Sequence, residues 1–571
     1  MYWSKIILFL AFILVAGGLQ AQVQKQTPQI YFELYDSTYN FQDQGFTFST
    51  INVLKNLNFV SNNYHSASFG AVDMATGSFL WNRTLKEDTT AGGGSSYSYC
   101  LAFNHYNDNT SSIRISDYDM DGYYLMDQDM NVILNFFDLG IRPENHGIAK
   151  LPDGRIAYLM DTTQVVNFYS NVIPDSTDWD ALAFDLYIFN PLDSSTVKIF
   201  DWFSSVDSSF VVPEYFYEGD DSGPLIDWTH PNSVFADYDG NILISWRHLG
   251  VCKIDANTGL VIWWVGLPTG MATQQGFNEP TCISGDCRTR LQHDLLPVPG
   301  MPNHYSMFDN GDTARNYSRA LFFSIDTANN TMQVEKDPNF ERSDFMGSVA
   351  VLNNGSYLVN VPSIQKLPFG KFPAWMANGV FQDSILNYIH LLGSDIFLMD
   401  ANDQLVAKYW SDSANFVYNN FIIDFSNWPE IVCEEDSVAS TSYPSNFSWQ
   451  NAVGTDLGSN LKQEVNESIY RLRFPYGILN GYTSYFDSKS CIGTSIRDEF
   501  SSVHFGLFPN PSQNTLKFSQ YVESFDVFDL MGRYIFSGSG EFVDVSNLME
   551  GVYFLNFTHE GAKLSAKFSK F

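Results

Sequence analysis

Six segments of the chain repeat one pattern: a short apolar run, an Asp or Asn, a turn, then a second short run. They are Phe69–Trp81, Tyr123–Phe137, Leu186–Phe200, Val251–Trp263, Phe322–Val334 and Ile396–Tyr409. Two are near copies, Asp73-x-x-Thr-Gly-x-x-x-Trp81 and Asp255-x-x-Thr-Gly-x-x-x-Trp263. The markers Asp73, Asp127, Asn190, Asp255, Asp326 and Asp400 are residues that permit tight reversals between strands. A second hairpin type lies between them, as in Leu151-Pro-Asp-Gly-Arg-Ile156, Tyr238-Asp-Gly-Asn-Ile-Leu243 and Asn353-Asn-Gly-Ser-Tyr-Leu358. Two hairpins per repeat make a four-stranded unit. Their recurrence predicts an all-β fold, a six-bladed β-propeller over about residues 28–430. An array of β-sandwiches is the competing arrangement, disfavoured by the long intervals and the repeated Asp-turn-Trp pattern.

Two further regions follow. Residues 431–500 are rich in Ser, Asn and Tyr, with Cys433 and Cys491 near their ends. They either complete the last blade or form a disulfide-held extension. From about residue 505 the pattern changes to alternating strands with Gly turns. Leu507-Phe-Pro-Asn-Pro-Ser512, Val527-Phe-Asp-Leu-Met-Gly-Arg533 and Leu548-Met-Glu-Gly-Val-Tyr-Phe554 are its landmarks. A small Ig-like β-sandwich over 505–571 is expected. This tail resembles the type A sorting domain of the type IX secretion system. The resemblance implies export across the outer membrane and the secretion machinery as a partner.

Composition narrows the class. Hydrophobic residues are 44% of the 571 and aromatics 16%, which suits a large core rather than disorder. The net charge of −33 argues against a nucleic-acid partner, since phosphate binding needs clustered Lys and Arg. Residues 1–21 read as a signal peptide, with Lys5, the apolar run Ile6 to Val15 and Leu19-Gln20-Ala21 before the cleavage point. That run is too short to span a bilayer comfortably, so a secreted or cell-surface location without a membrane span is expected. Six cysteines in an exported chain suggest disulfides. Cys282 and Cys287 are close enough to staple one loop, and Cys433 can pair with Cys491; Cys100 and Cys252 remain.

Candidate chemistry concentrates between Trp228 and Leu321. Asp227-Trp-Thr-His-Pro-Asn232, Ser245-Trp-Arg-His248, Gln292-His-Asp294 and Phe308-Asp-Asn-Gly-Asp312 recur beside strand-like runs. Their spacing is too long for one helix or hairpin, so only a closed β scaffold brings them together. Such a set offers one nucleophile or base and several donors for an oxyanion. His230 and Asn232, two apart on a strand, are expected to face one side. His248 directly follows Arg247 and by strand alternation would point away from it.

The order of these motifs resembles the bacterial arylsulfate sulfotransferases, over roughly His146 to Asn360. The specific parts are His230-x-Asn232, Arg247 after Leu243-Ile-Ser245, and Gln292-His293 followed by Phe308-Asp-Asn-Gly311. The resemblance implies transfer of a sulfuryl group between phenols without a nucleotide cofactor. It implies His293 as nucleophile and Arg247 as a sulfuryl-binding residue. His230 would assist catalysis, while His146 and Asn232 would bind the sulfuryl group or substrate. Its expected partners are small phenolic sulfate donors and phenol acceptors.

Other readings use the same residues. His146, His230 and His293 could be metal ligands of a hydrolase or lyase. Arg247 opposes this, because a cation beside a divalent metal is unfavourable, and no metal is expected. A binding propeller without turnover would keep the fold alone. Gly219-Asp-Asp-Ser-Gly-Pro224 has an extra Asp and a misplaced Pro for a serine-protease loop, and reads as a turn. Asp117-x-Asp-x-Asp-Gly122 has Gln128 where a helical calcium hand needs Glu, so an acidic hairpin is the default and a calcium-bound turn the alternative. Trp228, Trp246, Trp263 and Trp264 are candidates for stacking on a phenol or for ordinary packing.

Overall fold

The computed structural model describes residues 30–487 and 507–570 with internal gaps, of which 53–67, 85–98, 168–177, 207–224 and 364–392 are the longest. The proposed signal peptide, Trp228, Asp117 to Met120, the Ser222 turn and Cys491 lie outside the described residues. So does the Cys433–Cys491 pairing. Contacts divide the chain into two compact units, Met1–Phe32 with Phe41–Ile492, and Glu33–Asn40 with Gly493–Phe571. With 62% of residues in strands and 3% in helices, the protein is all-β.

The larger unit is built from antiparallel four-strand meanders. The clearest runs Pro231–Ala236, Ile242–Trp246, Gly250–Ile254 and Val261–Val265 in spatial order. Its two middle strands are buried along their whole length, which explains their unbroken apolar sequence. Others begin at Tyr99–His105, Ile148–Lys150, His293–Pro297 and Ser348–Val351, each adding its next three strands in order. A further meander takes Gln44–Asn52, Ser68–Asp73 and Phe79–Thr84 from the N-terminal side. Its remaining strand, Ile422–Asp424, comes from far along the chain, with Phe46 opposite Ile422.

The marker residues all lie between the third and fourth strands. Asp255 Oδ1 accepts from the N–H groups of Asn257 (3.0 Å) and Thr258 (2.8 Å). Asp326 does the same for Ala328 and Asn329, and Asp73 Oδ1 accepts from Ala75 N–H. These side chains satisfy turn donors that no strand can reach. The Leu-Pro-Asp-Gly type of hairpin joins first to second strands.

Successive meanders pack face to face. One apolar cluster joins 99–135 to 148–200, and a second joins 148–200 to 231–265 around Trp202, Trp246 and Trp264. The next two join 231–265 to 293–336, and 293–336 to 348–411. Tyr409 then packs edge-on against Phe46 at 5.1 Å and donates to the Met74 carbonyl, and Phe69 meets Phe103 at 5.8 Å. The series thus returns to its start.

Residues 431–487 extend the outer edge of the N-terminal meander through Tyr482 opposite Asn82, and add a separate three-stranded sheet. The expected Cys282–Cys287 disulfide is present, and Cys100 and Cys252 are buried on different meanders, neither in a disulfide. In the smaller unit the long strand Thr515–Asp529 pairs with both Tyr534–Asp544 and Gly551–His559. Register shifts after Lys517 and Val522 bend it around a core of Phe518, Phe525, Leu555 and Phe557.

Candidate active site

Three histidines occupy matching positions on three successive meanders. His146 stands two residues before the first strand Ile148–Lys150, His230 one before Pro231–Ala236, and His293 opens His293–Pro297. Equivalent strand entries lie at one end of the stacked sheets. The turn after Ile242–Trp246 carries Arg247 and His248 back to that end, where the Arg247 N–H donates to the His230 carbonyl (3.0 Å). The His146 and His230 rings are 5.6 Å apart, and those of His230 and His248 5.7 Å. His293 lies within electrostatic reach of Arg247, His230 and His146.

His248 overturns an expectation. Alternation would turn it away, but the strand ends at Trp246 and both residues lie in the turn, where period two no longer holds. His230 and Asn232 are also not simple strand neighbours, because the register shifts between Pro231 and Ser233. The Asn232 Nδ2 donates to the Gln292 carbonyl (2.6 Å), the residue before His293. The Gln292 side chain in turn donates to the carbonyls of Trp246 (2.9 Å) and Gly250 (3.0 Å). Asn232 is therefore joined to the group through the backbone that carries His293.

The His293 ring has a defined tautomer. Asn310 Nδ2 donates to the Ser343 carbonyl (3.0 Å) and the Met346 carbonyl (2.9 Å), which orients its Oδ1 to accept from His293 Nδ1 (2.7 Å). The Leu291 carbonyl lies 3.1 Å from the same nitrogen. With two acceptors at Nδ1, the proton sits there and Nε2 keeps its lone pair. That lone pair accepts from the Met346 N–H at 3.0 Å. Asp309, fully buried, holds the neighbouring backbone by accepting from Arg290 N–H and from Arg315 (2.6 Å) and Arg319 (2.9 Å).

Burial, with the Arg247 charge next, drives the His293 pKa well below the imidazole range, so the ring is neutral at pH 7. His248 is lowered for the same reasons. His146 differs: Glu144 accepts from its Nδ1 (2.5 Å) and from its backbone N–H (2.7 Å). This orients the ring. The backbone is unusual here as well. His230, Leu291, Asp294 and Met346 all have positive φ, between 42° and 60°, a conformation that costs a non-Gly residue about 1–3 kcal/mol.

The chain's sequence matches the family model of Arylsulfotransferase (ASST) over residues 57–377. The chain belongs to the arylsulfotransferase family. Its tail, residues 506–570, matches the secretion system C-terminal sorting domain, which marks this arylsulfotransferase for export to the cell surface or beyond. None of the curated proteins compared matches it. Among solved structures it is similar to a protein from Lactobacillus plantarum, at 9% identity over 74% of this chain and 96% of that one, TM-score 0.31. Sqt1 of Saccharomyces cerevisiae is similar at 9% identity over 74% and 90%, TM-score 0.24.

Family membership gives the arrangement its chemistry: an enzyme acting on aryl substrates. Among the described residues, no group of three or more His, Cys, Asp or Glu is placed to hold a metal, and no helix is long and apolar enough to cross a membrane. Trp246, Trp263 and Trp264 are fully buried in the apolar clusters between sheets, out of reach of a phenol. Sequence reasoning missed Asn310, Glu144 and His248 in this arylsulfotransferase. Asn310 stood in view within Phe308-Asp-Asn-Gly311; Glu144 carried no motif.

Proposed function

We propose that the protein moves a sulfuryl group from a phenolic sulfate ester to a phenol by a two-step exchange through Nε2 of His293, without a nucleotide. The observation that carries this reading is the neutral His293, its Nδ1–H held by Asn310 and its ring beside Arg247. The six meanders support a six-bladed propeller closed by Ile422–Asp424, with a small β-sandwich as the exported tail.

In the first step Nε2 attacks sulfur and the bond to the aryl oxygen breaks. Charge spreads over the sulfuryl oxygens, so catalysis is positioning and electrostatic stabilisation. Arg247 supplies the cation, and the Met346 N–H, released from Nε2, turns to a sulfuryl oxygen. The ring becomes cationic with its proton still on Nδ1, and Asn310 Oδ1 stabilises it. The departing phenolate takes a proton from His146 or His230. In the second step the acceptor hydroxyl attacks sulfur, the histidine that gave up its proton takes one back from it, and the N–S bond breaks to restore neutral His293. Asn232 keeps the His293 strand in place.

Incubation with a sulfated phenol and no acceptor should leave a sulfuryl group on His293. Mass spectrometry of its peptide after alkaline quenching reads this directly. Full transfer by His293→Ala would sink the proposal.

A further inference from the structure

A cavity of about 960 Å³ adjoins the site, with Arg247 and His248 in its wall. Its size is at the upper end for drug-sized ligands, far more than one phenol ring needs. Its far wall is the segment from the Cys282–Cys287 disulfide to Leu291, which ends beside His293. Arg288 and Arg290 both line it.

Those guanidiniums stand out in a chain with 31 Lys and Arg against 64 Asp and Glu. Two acids share the wall. Asp286 is committed to the loop, accepting from the Arg288 N–H (3.2 Å), and burial raises the Glu279 pKa above the usual carboxylate range. Arg288 is exposed, and its guanidinium has no carboxylate partner among the described residues. Arg247 is used by the sulfuryl group in the proposed reaction. That leaves two cations on one wall with no part in the transfer.

We propose that this cavity is a subsite for a second anionic group on the substrate, a carboxylate or a sulfate ester, held by Arg288 and Arg290. The inference rests on the proposed transferase reading. The substrate class is therefore a phenol, or its sulfate, carrying another negative charge away from the reacting oxygen. Guanidinium is suited to both anions through its paired donors. Two cations in a strongly acidic protein also draw an anionic substrate to the cavity.

The test is the acceptor preference in transfer from 4-nitrophenyl sulfate. Acceptors would be phenol, tyramine, 4-hydroxyphenylacetate and hydroquinone monosulfate. The wild-type kcat/KM for the two anionic acceptors should exceed that for phenol by about 10-fold, with tyramine lowest, and the gap should shrink at high salt. The two anions separate the carboxylate source from the sulfate source. Arg288→Met and Arg290→Met should each collapse the anion-to-phenol ratio. Equal kcat/KM for neutral and anionic acceptors, or an unchanged ratio in both variants, would overturn the proposal. Calorimetry with His293→Ala keeps the question separate from turnover. If no acceptor is sulfated, the transferase reading fails, while tighter binding of 4-hydroxyphenylacetate than of phenol still supports the subsite and equal binding refutes it.

Discussion

The Nδ1–H of His293 donates to Asn310 Oδ1 across 2.7 Å, and Asn310 is held in place by the carbonyls of Ser343 and Met346. One amide thus decides which nitrogen of the histidine carries the lone pair. Replacing Asn310 by Leu should lower kcat, by up to about 10,000-fold, the loss seen when a catalytic histidine is left in the wrong tautomer. KM for the donor should change little. Steady-state kinetics within twofold of wild type would refute this role.

Glu144 binds His146 twice, at Nδ1 and at the backbone N–H. Glu144→Gln should lower kcat by about 10- to 100-fold, a fraction of what general acid–base catalysis supplies. Glu144→Asp, which keeps a carboxylate acceptor, should recover part of the loss. A wild-type kcat in Glu144→Gln would refute this positioning role.

His293 is expected to stay neutral below pH 6.5, since burial and Arg247 lower its pKa. Single-turnover sulfuryl transfer from donor to enzyme should therefore persist at pH 5.5. Arg247→Met removes one lowering influence, so the acid limb of that step should shift upward. It should also slow the step by about 100-fold or more, as loss of an oxyanion donor does. The sign for stability is the same: the unfolded state binds the proton first, so folding weakens as pH falls below 6.5. His105, lowered to about 4 chiefly by burial, adds to that loss between pH 6.5 and 4.

Asp294 runs the other way. Burial raises its carboxyl to about 8, so the folded protein holds a proton that the unfolded chain has released. Its contribution is full below about pH 4 and fades as pH rises towards 8. Asp294→Asn, which cannot ionise, should raise Tm by a few degrees (about 2–4 °C) at pH 8.5 and leave it nearly unchanged at pH 4. Calorimetric Tm at the two pH values gives the difference; equal shifts at both would exclude ionisation as the cause.

The sorting tail can be tested by deleting residues 507–571. The truncated protein should accumulate in the periplasm of its native host instead of reaching the surface or medium. Fractionation and immunoblotting measure this, and unchanged secretion would contradict it.

The meander pattern was legible because turn chemistry is local. Asp255, Thr258 and Gly259 bond within one reversal, so their identity alone specifies it. The same holds for the apolar runs of Ile242–Trp246 and Gly250–Ile254, whose burial is written into every residue. His146, His230, Arg247 and His293 could be nominated from motifs, and they do come together. What a given side chain faces was less legible. Alternation placed His248 outside the group, yet the strand had already ended one residue before Arg247. Asn232 was expected to face the reacting centre and instead grips the Gln292 carbonyl, sixty positions away.

By itself the sequence determined the strand-and-turn repeats, the sorting tail and the residue types available for chemistry, because those depend on neighbours within a few positions. Tertiary structure alone decided how the ends meet, with Ile422–Asp424 pairing with Gln44–Asn52, and which groups act on His293. The proton on its Nδ1 is set by Asn310, and its neutrality by Arg247 and burial. These are contacts between residues 17 to hundreds of positions apart. Their energies depend on distance and solvent exclusion, and neither quantity exists until the sheets have packed.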